Sequence, residues 1–111
     1  MGINSTEVAY GFGQLGSGHL QAGSSALTPP TGQVIVAIQF LDDIALSALV
    51  PEQLNGADAY IGTGSTANTA NNSVVIDTST TFPAGITIVG RWSSVTLNAA
   101  NDNGIICYFG E

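Results

Sequence analysis

Apolar residues come in short bursts along this 111-residue chain, separated by Gly, Asn, Ser and Pro, and no long stretch repeats them at helical spacing. The strongest burst, "QVIVAIQFL" (33–41), is β-branched and nearly continuous, the signature of a strand covered on both faces. "DD" interrupts it, and "IALSAL" (44–49) alternates loosely as a second strand. Pro51 and "LNGAD" make a connection, in which Asn55-Gly56 suits the positive φ angles of a tight turn. "DAYIG" (58–62) predicts a short strand, "TGSTANTANNS" (63–73) a polar loop, and "VVID" (74–77) another strand. After the turn "TTFPAG", "ITIVGRW" (86–92) sets Ile86, Ile88, Gly90 and Trp92 on one face and Thr87, Val89 and Arg91 on the other. "SVTL" (94–97) continues it, "NAANDNG" turns, and "IICYF" (105–109) is a last strand.

Short strands at regular intervals with turn residues between them predict an all-β fold, a single small β-sandwich or jelly-roll-like barrel over residues 31–111. Residues 1–30 are rich in Gly, Ser, Ala and Gln and end in "LTPPTG", which predicts an irregular Gly-rich N-terminal arm. The length suits one domain and is enough to bury a core without staples.

Charge narrows the choice of partner. Charged residues are 8% of the chain, against about 25% in ordinary globular domains. Arg91 is the only basic side chain besides His19, and eight carboxylates bring the net charge to −7. Phosphate recognition needs clustered Lys and Arg, so nucleic acid and anionic membranes are excluded as expected partners. Strand edges lack the usual lysine guard, so turns, prolines or another subunit are expected to protect them. Cys107, the one cysteine, sits in an apolar run and reads as a buried small hydrophobe. The N-terminus shows no basic segment followed by an apolar one, and no stretch nears the ~20 apolar residues of a membrane span, so assembly in a cytoplasm is expected.

Candidate chemistry is sparse. "GFGQLGSG" (11–18) matches G-x-G-x-x-G, the dinucleotide cradle, but it lacks the helix that should follow and the acid about 20 residues on. It reads instead as part of the arm. His19 has neither a second histidine nor a nearby carboxylate in sequence, so it predicts no metal site and no triad. Asp42 and Asp43, with Asp58, Asp77 or Asp102, read as turn caps; a bound cation or a carboxylate pair for hydrolysis is the sharper alternative. No cofactor is expected. Arg91 must find a partner, either Asp42 or Asp43 within the chain or a carboxylate on a neighbouring subunit. Trp92 reads as core. The sequons Asn4-Ser5-Thr6 and Asn71-Asn72-Ser73 read as incidental.

The whole chain carries a resemblance. A Gly-rich arm, "LTPPTGQVIVAIQFLDD", a polar loop, "TFPAGITIVGRW" and a closing "GIICYFG" together resemble the small virion structural proteins of tailed phages of marine and cyanobacterial hosts. Such proteins are similar to capsid decoration (cement) proteins, small β-rich domains on the outer head shell, often trimers. The resemblance implies a non-enzymatic role, a homotrimer, the phage major capsid protein as partner and a place on the capsid surface of the virion. It carries over no catalytic residue. The candidate interface is Tyr10, Phe12, Leu15, His19, Leu20 and Arg91, the arm's larger side chains and the chain's one arginine. Two other classes stand beside this reading: a receptor- or glycan-binding module of a tail or fibre, using Tyr10, Phe12 and Tyr60, and a hydrolase using the aspartates.

Overall fold

A computed structural model of the chain describes residues 15–54, 57–64 and 68–111. Among them the protein is all-β, as its hydrophobic pattern requires. Strands β1 (Ser17–Leu20), β2 (Val34–Phe40), β3 (Ile44–Pro51), β6 (Thr81–Phe82), β7 (Thr87–Leu97) and β8 (Ile105–Gly110) form one antiparallel sheet in the order β1-β8-β2-β7-β3-β6. Strands β4 (Gln53–Leu54) and β5 (Ala57–Asp58) make a small separate ribbon.

Strand β7 shapes the sheet. Its first half pairs with β2 and its second half with β3. The backbone of Ile86 bonds Phe40, and that of Asn98 bonds Ala45. Phe40 and Ala45 are joined by a tether that reaches roughly 18 Å. A straight strand from Ile86 to Asn98 would span roughly 40 Å. Strand β7 therefore bends sharply. Register shifts between Ile35 and Ala37, between Leu46 and Ala48, and between Val50 and Pro51 take up that bend as bulges.

The bend rolls the sheet around one core. Leu27 exchanges both backbone hydrogen bonds with Val95, at 2.8 and 3.1 Å. It does so on the edge of β7 opposite β3, because Leu49, which faces Val95 across β3, turns its own N–H and C=O outward to Thr63. The Phe40 and Phe82 rings stack at 4.6 Å and join the short β6 to the end of β2. The result is a small barrel-like closure. Ile35, Ile38 and Phe40, Ile44, Leu46 and Leu49, Trp92, Val95 and Leu97, and Ile105, Cys107 and Phe109 fill it in sets from β2, β3, β7 and β8.

Several local expectations are corrected. The irregular arm does not extend to residue 30: Ser17–Leu20 pair with β8 from Ser17↔Tyr108 to Leu20↔Ile105. "SGHL" has little intrinsic strand character, and what makes it a strand is the open edge of β8. Leu20, expected at an interface, is 8% exposed and belongs to the core. The strands expected at 58–62 and 74–77 shrink to Ala57–Asp58 and to an extended segment without a ladder, where only Ile76 is buried and its N–H bonds the Gly62 carbonyl. The turn "TTFPAG" contains the two-residue β6. The Asn55-Gly56 turn lies outside the described residues.

Candidate functional site

The alternation that sends one side of each strand into the core leaves a second set on the outside of β1, β8, β2 and β7. Cross-strand register aligns these residues in two rows: Ser17, Tyr108, Ala37 and Val89, and next to them His19, Ile106, Gln39 and Thr87. None of the eight carries a formal charge with His19 neutral. Ala37, Thr87, Val89 and Tyr108 line a shallow depression of about 360 Å³. Val89 is 60% exposed at its rim, and the Tyr108 hydroxyl donates to Gln39 Oε1 at 3.2 Å. The outer face of an antiparallel sheet is ordinarily its polar one. Here Ala37, Val89, Ile106 and Tyr108 share that position with the polar Ser17, His19, Gln39 and Thr87.

Arg91, next along the outer side of β7, pairs with Glu52 and with neither Asp42 nor Asp43. Its Nε donates to Glu52 Oε1 at 2.6 Å, and an Nη donates to the backbone carbonyl of Glu111 at 2.6 Å. The Glu52 carboxylate raises the Arg91 pKa further above its ordinary value. Both side chains remain about 30% exposed, at 32% and 27%, so the pair ties the chain's last residue to β7 and adds little stability. The aspartate pairing expected from sequence fails because Asp42 and Asp43 lie in the turn after β2, and β7 runs antiparallel to β2, so Arg91 stands towards the start of that strand.

Asp42 instead caps a corner. Its Oδ1 accepts the Asp43 N–H at 2.8 Å and its Oδ2 accepts from the Asn103 side chain at 3.3 Å. Asn101 Oδ1 accepts the N–H groups of Asn103 and Gly104, both at 2.8 Å, and the ring Nε2 of His19 lies 2.7 Å from the Asn103 carbonyl oxygen. These bonds suit turn-holding side chains, the reading expected for the aspartates. Among the described residues no three His, Cys, Asp or Glu side chains gather as a metal site would require. The bonds from Asp43 and Asn103 lower the Asp42 pKa, and those from Ser79 lower that of Asp77. A carboxyl held below its ordinary 3.8 contributes stability that is complete above that value and is lost as pH falls through the lower folded pKa. Asp42→Asn is therefore expected to be less stable than the parent at neutral pH and to show a shallower further loss below about pH 4, as measured by urea unfolding across pH.

The other sequence-selected residues divide. Leu15 is exposed beside β1, and His19 is exposed and lies on the outer face. Tyr10 and Phe12 lie outside the described residues. Tyr60 is half-buried. Cys107 is buried as expected, its thiol pushed up to about 12 by desolvation, so it stays protonated and inert. A second group of exposed apolar side chains went unnoticed in the sequence: Ile61, Val74 and Val75, Val74 at 76%, lie on two stretches brought together by the bond between Ile76 and Gly62. "VVID" read as a strand. The signal that was missed on the sheet itself is Val89, which shares its face with Thr87 and Arg91 and so breaks the polar side of its own alternation.

No protein-family model matches this chain, and no significant match was found among curated proteins or solved structures.

Proposed function

We propose that this protein is a non-enzymatic structural component of a phage virion, a capsid decoration protein that binds the outer head shell through protein–protein contacts and acts as a homo-oligomer, a trimer by the resemblance. The observation that carries this reading is the exposure of the aliphatic side chains of Ile61, Val74 and Val75, on a chain almost devoid of cationic groups. Apolar side chains held in the open on an ordered β module suit lasting burial against another protein. The rolled sheet supplies a rigid support for such a contact.

The test is electron microscopy of the virion that contains this chain, together with binding of the purified protein to heads that lack it. Density on the outer head shell is expected. Val74→Asp is expected to weaken head binding at least tenfold, because one buried valine side chain contributes about 1.5–3 kcal/mol and 1.4 kcal/mol is a factor of ten. Density confined to the tail or its fibres, or undiminished head binding by a folded Val74→Asp protein, would overturn the assignment.

A further inference from the structure

The depression between Ala37, Thr87, Val89 and Tyr108 is far smaller than a stable protein–protein contact, which takes about 800 Å² from each partner. A second copy set face to face would also bring together two chains of net charge −7. At about 360 Å³ the depression lies near the lower limit of small-ligand sites, the size of one or two ring side chains.

The described chain begins beside it. Leu15 and Gly16 lead into β1, where the Gly16 carbonyl accepts the Phe109 N–H at 2.9 Å, and Ser17 heads the row that runs through Tyr108 and Ala37 to Val89. Strand spacing puts Val89 about 14 Å from Ser17 across that row. Residues 1–14 can reach roughly 45 Å when extended, three times what is needed. Their composition matches the face. Glu7 is their only charged side chain, and Val8, Tyr10 and Phe12 alternate with Ala9, Gly11 and Gly13. In an extended chain such alternation puts three bulky apolar groups on one side and leaves the other almost bare.

We propose that residues 1–14 dock across the outer face of their own sheet, with Tyr10 or Phe12 seated in the depression beside Val89 and Tyr108. Tethering makes this arrangement outcompete a neighbouring copy. A tether of a few residues supplies an effective concentration on the order of millimolar, which suffices for a contact too small to hold a free partner. The glycines between the bulky groups let the backbone lie close to the sheet. The docked segment covers the apolar side of β2, β7 and β8 and leaves the Ile61, Val74 and Val75 surface open. The inference does not depend on the virion assignment.

The experiment is nuclear magnetic resonance of the full-length protein, using a mixture of differently isotope-labelled copies to separate contacts within a chain from contacts between chains. Cross-peaks from the Tyr10 or Phe12 ring to the Ala37 or Val89 methyl groups are expected within one chain and unchanged on dilution. In Val89→Glu those cross-peaks are expected to disappear while the Val74 and Val75 methyl shifts stay in place. A folded parent protein with no such cross-peaks would overturn the proposal. Cross-peaks found only between differently labelled copies would assign the face to a second chain and overturn it equally. Because head binding is tested through Val74, the two proposals can fail separately.

Discussion

Trp92→Ala is expected to lose about 3–5 kcal/mol of stability, the cost of deleting a large buried aromatic side chain. Trp92 is 1% exposed and sits where the two halves of β7 meet, facing Ile35 on β2 and Pro51 on β3. Its ring lies so close over Gly90 that a Cβ there would stand 2.8 Å from the indole. Its Nε1 donates to the Ile61 carbonyl at 2.8 Å and so fastens the 59–64 stretch to the rolled sheet. Truncation to alanine removes both the filling of the bend and this tie. Against a typical total of 5–15 kcal/mol the loss is large, and the urea midpoint is expected to fall steeply. Trp92→Phe keeps most of the ring but leaves the Ile61 carbonyl without its donor, and is expected to cost about 1–3 kcal/mol. A Trp92→Ala protein with a midpoint close to the parent's would mean that the bend is not held by the indole.

The second large effect is expected at Gly104, which precedes β8. Its φ is +73°, in the left-handed region, and a Cβ there would run into the Leu20 backbone carbonyl and stand 3.1 Å from Gln21 Cγ. The turn cannot simply move aside, because the Gly104 N–H donates to Asn101 Oδ1 and its carbonyl accepts the Leu41 N–H at 3.1 Å. Gly104→Ala therefore meets two costs: about 1–2 kcal/mol for alanine in a left-handed conformation, and about 1–3 kcal/mol for pushing β1 away from β8. Gly85 makes the comparison clean. Its φ is +91° with nothing within 4 Å of the added Cβ, so Gly85→Ala should show the backbone cost alone. Equal losses at the two positions in urea unfolding would show that β1 does not press on Gly104.

The readable part of the fold lies where the chain repeats with period two. The continuous run at 33–41 became β2, and Ile88, Gly90 and Trp92 share a face as their spacing requires. Cys107 and Trp92 are core, as their apolar surroundings indicated. What was not readable depended on partners distant in sequence. "SGHL" is a strand because β8 offers an open edge, whereas "VVID", with far better local strand character, forms no ladder among the described residues and stays outside the sheet. The outer-face depression was hidden for the same reason. Val89 and Tyr108 look like ordinary strand residues until register puts them in one row with Ala37.

By itself, then, the sequence determined the all-β class, the covered strand at 33–41, which residues of the strand at 86–92 share a face, and a chain with one arginine and no lysine. Those properties follow from side-chain chemistry and a two-residue period, which act within a few residues along the chain. The tertiary structure alone decided the strand order, the bend of β7, the closure by Leu27 and Val95, the pairing of Arg91 with Glu52, and the grouping of Ala37, Val89 and Tyr108 on the outer face. Each of these depends on which strand edges remain open once others have paired, and on how far the connecting loops reach. Neither is encoded in any one segment.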